Sequence, residues 1–337
     1  MKQFKELTGI FEAVSHISIA VVGDFCLDAY WEIDTKAKEF SLETGKPTIA
    51  VSRQRYSLGG AGNVMTNLAA LGVRRTFGLG VTSDDVYGRE MMRQMRGLKT
   101  HIGGFVGQDK GWQTPVYAKP YRGSVEQNRI DFGRFNQLSR SSEKKLIATL
   151  SEEVSKVDAV IVNQQLPQSI FTRAVVRALN ALAQSNPDKV FLVDARHRIA
   201  DFRSMICKLN AIEAAALFGK NVRHNELIPT TQLRTYAEHF FRQFRKPVFI
   251  TRGRRGLLLF DGNDVVEIPA LKAAGAIDPV GAGDTVVATL AAALATGATP
   301  LRASELAMMA AAVTVRKLKQ TGTATSKEIL HIASLLR

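Results

Sequence analysis

Cysteine is scarce: Cys26 and Cys207 are the only two in 337 residues, far apart and with no histidine cluster nearby. That excludes a zinc spacing and a disulfide framework, and both thiols read as buried structural residues. The six histidines are scattered, with no metal-ligand pair at helical spacing. Long apolar runs are missing too. The longest, residues 285–298, carries three threonines and a glycine and follows an acidic residue, so no bilayer span is expected. The opening Met1-Lys2-Gln3-Phe4-Lys5-Glu6 lacks the charged-then-apolar layout of a secretory signal, which points to a cytoplasmic protein with no membrane partner. There is no Walker A loop, and no helix-turn-helix or RNA-binding aromatic signature.

Positive charge, by contrast, is in excess. Lys and Arg number 45 against 31 Asp and Glu, a formal net charge of +14. The basic residues are spread along the chain, and their densest stretch, 242–255, is broken by strand-like Pro247-Val248-Phe249-Ile250. That distribution suits a solvated surface that attracts anionic metabolites better than it suits a nucleic-acid site. Apolar residues at 45% and charged residues at 23% are ordinary for a soluble enzyme. The length could hold two average domains, and one large α/β domain also fits; with no long linker in the sequence, a single domain over residues 1–337 is expected.

Apolar patterning predicts strands at 17–24, 76–81, 157–162, 190–193, 248–251 and 256–260. Helical spacing falls at 63–71, 84–95, 169–183, 212–218, 236–244, 284–295 and 304–318. The alternation predicts a mostly parallel sheet covered on both faces. Two polar, strand-prone stretches break the rhythm, at about 29–51 and 114–132. They are expected to pair as a small second sheet that serves as a lid.

The strongest chemical signal is Asp278-Pro279-Val280-Gly281-Ala282-Gly283-Asp284, directly before a long apolar helix. Small residues let backbone approach a ligand, and the free N–H groups of a helix start form an anion hole for a phosphoryl group in transfer. Asp284 can accept the proton of an attacking hydroxyl, with positioning and charge stabilisation carrying most of the chemistry. The plain alternative is a tight glycine loop with Asp284 as helix N-cap.

A second signal is Leu58-Gly59-Gly60-Ala61-Gly62-Asn63. Bare backbone and the Asn63 amide can hold a sugar there, or Asn63 can simply cap a glycine turn. It is no dinucleotide fingerprint, because the third glycine is missing and no strand clearly feeds it. Asp24 and Asp28 follow the first strand at the carboxyl edge, where ligands gather, as sugar grips or as turn caps. Asn210 and Glu213, three apart at a helix start, can organise a hydrated Mg²⁺ near phosphates or cap the helix. Thr251-Arg252-Gly253 with Gly256 can present a hydroxyl and amides to nucleotide phosphates, or form a plain hairpin.

Taken in order along the chain, these segments resemble the ribokinase (PfkB-type) carbohydrate kinase family. The resemblance implies a ribokinase-like three-layer α/β/α domain with a β-sheet lid, and ATP-dependent transfer to a sugar or phosphosugar hydroxyl. It implies Asp284 as the catalytic base and Gly281, Ala282 and Gly283 as the anion hole. Asp28, Gly59, Gly60 and Asn63 would hold the sugar. Asn210 and Glu213 would serve Mg²⁺ and phosphate, and Thr251, Gly253 and Gly256 would contact ATP. A monovalent cation such as K⁺ near Asp278 and a homodimer paired through the lid are further implications.

Within the family the chain is most similar to the branch that phosphorylates heptose 7-phosphate. The residues that carry this are Gly23-Asp24, Asp28-Ala29-Tyr30-Trp31, Glu43, Pro47, Lys119, Arg129-Ile130-Asp131 and Thr285. Lys119 and Arg129, on the expected lid, suit a phosphate already present on the sugar, or plain solvation. A kinase of a neutral pentose or hexose and a non-catalytic sugar- or nucleotide-binding member are the alternatives. The chain departs from the heptose branch at Asn163-Gln164-Gln165-Leu166-Pro167, at Asp194-Ala195-Arg196-His197-Arg198 and at Leu209. These departures bear on the sugar and not on the reaction type. The His-x-Gly-His motif of an adenylyltransferase half does not occur in the sequence.

Overall fold

The computed structural model describes residues 2–36, 38–223, 226–272, 275–318 and 320–336. Its strands are β1 (Ser18–Gly23), β2 (Phe25–Ile33), β3 (Val51–Gly60), β4 (Arg75–Thr82), β5 (His101–Gly107), β6 (Val116–Arg122), β7 (Val125–Glu126), β8 (Ile130–Phe132), β9 (Ala159–Gln164), β10 (Val190–Ala195), β11 (Ile206–Asn210), β12 (Val248–Thr251), β13 (Leu257–Phe260) and β14 (Val265–Ile268). Its helices are α1 (Lys2–Val14), α2 (Ala61–Leu71), α3 (Val86–Gly97), α4 (Arg140–Glu153), α5 (Arg173–Ser185), α6 (Ala211–Leu217), α7 (Thr230–Phe244), α8 (Ala282–Ala295), α9 (Pro300–Thr314) and α10 (Ser326–Leu335).

Every residue of β1 after the first is buried. A strand that is apolar on both faces is stable only inside a sheet with helices on each side, and a parallel sheet provides that. β1 pairs in parallel with β4 and β9, and the parallel run continues through β10, β11 and β12. β13 and β14 close the far edge antiparallel, giving the order β14-β13-β12-β11-β10-β9-β1-β4-β5. Helices α1, α2, α3, α8, α9 and α10 pack on one face, and α4 to α7 on the other. The result is the three-layer α/β/α architecture expected from the alternation. Strand order reverses between β1 and β9, which opens a crevice at their carboxyl ends, the place where ligands collect in such sheets.

The small sheet runs β3-β2-β6-β7, with β8 on β6. Only Asp24 separates β1 from β2, so this sheet springs directly from the crevice. The stretch expected at 29–51 covers the second half of β2 and an irregular run tied by one Phe40–Pro47 bridge. The long partner strand β3 begins where that stretch ends. β3 also runs straight into the first glycine segment: Gly59 pairs with Cys26 and Gly60 with Phe25. The expectation that no strand feeds these glycines is therefore corrected. The first four residues of β3 are exposed, so it lacks the apolar alternation that marks a strand in sequence. Among the described residues, no helix is long and apolar enough to cross a membrane.

Candidate active site

The site forms where the first turn of α8 meets the carboxyl ends of β1, β9, β10 and β11. Gly281 precedes α8 in the left-handed region at φ 81°. A Cβ there would also come within 2.9 Å of Asn63 Nδ2, so glycine is required both for backbone hand and for room. Asp284 lies inside the helix and makes no capping bond. Its Oδ2 instead accepts a hydrogen bond from Asn63 Nδ2 at 2.7 Å, which removes the reading of Asp284 as an N-cap. Loss of hydration lifts the Asp284 carboxyl to about 6; the Asn63 bond opposes the rise, Asp194 adds to it, and Lys208 and Arg196 work against it.

Asn63 is itself held in place. Asn67 donates to the Asn63 carbonyl at 3.0 Å and to its Oδ1 at 3.3 Å, and accepts from Thr285 Oγ1 at 2.8 Å. Thr285 in turn meets Thr314 Oγ1 at 3.0 Å. This chain across α2, α8 and α9 turns the Asn63 nitrogen toward Asp284. Of the expected anion-hole trio, Ala282 is turned away, its amide donating to the Pro279 carbonyl at 3.1 Å. Among the described residues, the Gly283 and Asp284 amides have no acceptor in the protein. They are open donors at the positive end of a helix, so the hole shifts toward Asp284.

Of the residues expected to hold a sugar, Asp28 is buried on β2, pairs with Lys119 Nζ at 2.9 Å and accepts from Thr321 Oγ1 at 3.1 Å. Gly59 lies alongside, where a Cβ would stand 3.4 Å from the Asp28 carboxyl carbon. At Gly60 a Cβ would reach 2.5 Å from the Asp24 carbonyl, so this glycine serves close backbone packing. Lys119 is only 8% exposed and lies over the Tyr30 ring, so it is no solvated surface lysine. Burial, the largest influence, works against its charge, but Asp28, Tyr30 and Glu126 together outweigh it and raise it above the usual lysine range. Arg129 forks onto Asp131 at 2.6 and 2.9 Å and stacks 4.2 Å over Tyr117. Thr321, which no sequence signal distinguished, also meets Tyr30 Oη at 3.2 Å and Ser57 Oγ at 3.1 Å. It joins the root of the small sheet to the start of α8.

Asp24 does not serve as a sugar grip. Its carboxylate accepts from the amides of Gln165, Leu166 and Ile170 and from Ser169 Oγ, at 2.7 to 3.3 Å. It anchors the loop after β9, and burial pushes it up to about 6 despite these donors. Gln164 stitches this loop to the one after β10. Its Oε1 accepts from the His197 amide at 2.9 Å, and its carbonyl accepts from the Arg196 amide at 3.0 Å.

Asn210 and Glu213, expected to serve Mg²⁺ and phosphate, form a reciprocal capping box on α6, each side chain accepting from the other's amide at 2.8 Å. The capping alternative is thus realised, and one Glu213 oxygen is committed to it. The other lies 3.9 Å from Arg196 Nε. Among the described residues, no group of three or more His, Cys, Asp or Glu could hold a metal ion. The pair therefore fits Mg²⁺ only through water, as a cation carried on nucleotide phosphates. Thr251 ends β12, and residues 252–256 turn into β13 as the antiparallel hairpin weighed as the alternative. Gly253 adopts φ 56°, and a Cβ on Gly256 would collide with the Ile268 carbonyl, so Gly256 is a packing requirement of that hairpin. Asp278 Oδ1 accepts from the Val280 amide at 3.0 Å and shapes the loop before α8.

One charged residue, Lys208, carries no signal in the sequence. Lys208 is buried in mid-strand on β11, with Nζ donating to Asp194 Oδ1 at 3.1 Å. A lysine inside a short apolar run reads as the end of a strand, and nothing local signals its partner.

Comparison with known proteins shows the family. The pattern of the pfkB family carbohydrate kinase matches residues 17–328. The chain belongs to that family. Similar relatives include two proteins named Bifunctional protein HldE. That of Caulobacter sp. (strain K31) is 32% identical over 95% of this chain, and that of Trichlorobacter lovleyi is 30% identical over 98%. The chain spans 64% and 66% of their lengths. Among solved structures, phosphofructokinase-2 from Escherichia coli in complex with potassium has a TM-score of 0.74 at 17% identity, covering 95% of this chain and 100% of that one. Ribokinase from Thermotoga maritima has a TM-score of 0.70 at 18% identity, covering 94% and 99%. These structures share the fold of this chain.

Proposed function

We propose that this family member transfers the γ-phosphoryl group of ATP to a hydroxyl of a phosphosugar, with heptose 7-phosphate as the first choice of acceptor. The observation that carries the catalytic reading is the Asn63–Asp284 hydrogen bond. It brings the sugar-side glycine segment and the anion-hole segment together at one carboxylate. The heptose choice rests on the resemblance through Asp28, Lys119 and Arg129 and on the HldE relatives. ATP supplies the phosphoryl group, and Mg²⁺ bound to it supplies charge neutralisation. Asp284 takes the proton of the attacking hydroxyl, and the Gly283 and Asp284 amides receive charge that develops on the phosphoryl oxygens. Asp28, with Gly59, Gly60 and Asn63, orients the acceptor. Asn210 and Glu213 hold the hydrated metal, and Thr251, Gly253 and Gly256 line the nucleotide. Asp278 is the proposed neighbour of a monovalent cation.

A neutral pentose or hexose is the second reading, and one observation favours it. Both lid cations already have carboxylate partners within the protein, Lys119 in Asp28 and Arg129 in Asp131. ADP release with MgATP over a panel of heptose 7-phosphate, fructose 6-phosphate, ribose and fructose decides between them. Turnover restricted to neutral sugars would discard the phosphosugar assignment, and no ADP above background with any sugar would discard catalysis. We further place the chain in the cytoplasm, as one kinase domain over 1–337 with a lid. The proposed homodimer pairs through that lid, whose Phe40, Leu42, Ile49 and Val125 are exposed apolar residues.

A further inference from the structure

The sheet carries one polar row beneath the first turn of α8. Gly23, Asn163, Asp194 and Lys208 stand side by side in register across β1, β9, β10 and β11. Two residues earlier on the same strands, Val21, Ile161, Leu192 and Ile206 join the core shared with α8 and α9. Residues two apart share a face of a sheet, so Asn163, Asp194 and Lys208 project toward α8. All three are buried, Lys208 at 4% exposure. Lys208 Nζ bonds Asp194 and lies 3.7 Å from the point a Cβ on Gly283 would occupy. Its ammonium thus reaches the underside of the anion hole, next to the space that Gly283 leaves empty.

A purely structural role accounts poorly for this row. A buried ion pair seldom adds net stability over well-packed apolar residues, because both charges lose their hydration. Nor is the row a self-satisfied network: both polar atoms of the Asn163 amide are buried without a partner in the protein. Asp194 and Glu213 alone would set negative charge behind the hole and cancel the positive end of α8. A fixed cation beside Gly283 opposes that at the hole itself.

We propose that Lys208 is a positioning residue that supplies the fixed positive charge of the anion hole, held by Asp194 and acting through the Gly283 turn on the phosphoryl group in transfer. This rests on the kinase reading of the site. A charge that acts mainly as the phosphoryl group moves lowers the barrier without tightening nucleotide binding. The test uses the full chain with MgATP and the most active sugar of the panel. Lys208→Met removes the charge, and Lys208→Met with Asp194→Asn removes both, so that no buried carboxylate is stranded. Lys208→Gln replaces the Met variant if the latter does not melt cooperatively. We expect kcat to fall about 100-fold or more in the single and double variants, with KM for ATP changed less than about threefold. A second readout is binding of MgADP with fluoroaluminate, a mimic of the phosphoryl group in transfer. Its affinity advantage over MgAMP-PNP should be present in the wild type and lost in both variants. A well-folded double variant whose kcat returns to within about threefold of wild type overturns the proposal, since Lys208 would then only neutralise Asp194. A wild type with neither ADP release nor a fluoroaluminate advantage overturns the kinase reading instead. Variants that keep the advantage shown by an active wild type remove Lys208 alone.

Discussion

Asn63 donates to the Asp284 carboxylate at 2.7 Å across 221 positions of sequence. Each residue stands in the first turn of a helix that a positive-φ glycine introduces, Gly60 at 53° and Gly281 at 81°. The two helix starts therefore converge on the same crevice. The bond commits one carboxylate oxygen and leaves the other to take a proton.

Replacing Asn63 by Asp sets a second carboxylate against Asp284. Two like charges at that separation cannot both ionise easily, so the Asp284 pKa rises further. At pH 7, kcat should fall about 100-fold and recover at higher pH, whereas Asn63→Ala, which removes only a donor, should cost about tenfold. pH–rate profiles of both variants check this. An acid limb unmoved in Asn63→Asp would show that the two groups are not coupled.

As the proposed base, Asp284 should also set the wild-type pH profile. With its carboxyl at about 6, among Asn63, Asp194, Lys208 and Arg196, the base is ionised at pH 7 and kcat declines as pH falls below about 6. Asp284→Asn should abolish turnover while MgATP still binds. The raised pKa carries a stability cost with a definite sign. The native state holds the proton more tightly than the unfolded chain, so stability falls as pH rises from about 4 through about 6. Asp284→Asn should therefore raise Tm at pH 8, and the gain should shrink toward pH 4; melting curves at the two pH values measure it.

The lid cations separate by burial. Lys119→Ala strands the buried Asp28 carboxylate, and should raise KM about tenfold for phosphorylated and neutral acceptors alike. Arg129 is half exposed and leaves only Asp131 behind. Its removal should raise KM about tenfold for a phosphosugar and leave neutral analogues unchanged. A Lys119→Ala effect confined to phosphosugars would show that Lys119 leaves Asp28 when substrate binds.

Asp24 is expected to act on stability alone. Asp24→Ala leaves three buried amides and the half-buried Ser169 hydroxyl of the loop after β9 without an acceptor, and should cost about 3 kcal/mol in urea unfolding. Asp24→Asn keeps part of the acceptor set and should cost less. An unchanged midpoint in Asp24→Ala would mean that the loop holds itself.

Much of this molecule is legible in sequence because some signals are local. Apolar runs such as Val248 to Thr251 mark strands covered on both faces, and glycines at positive φ before a helix mark backbone that must turn tightly. The Gly281 to Asp284 segment, Asn63 and the Asn210/Glu213 box all carry such signals, and their order along the chain pointed to the family. Other elements carry none. β3 exposes its first four residues, α4 mixes Ser, Lys and Glu with few apolar anchors, and Lys208 interrupts β11.

Sequence alone thus determined the fold class, the family and the presence of a glycine-framed carboxylate at the start of α8. Steric limits on φ and the periodicity of apolar burial act over a few residues, so they are written locally. Tertiary structure decided which charges meet. Strand register, set by packing across the whole sheet, is what puts Lys208 beside Asp194 and under Gly283, ties Lys119 to Asp28, and turns Asp24 from a sugar grip into a loop anchor.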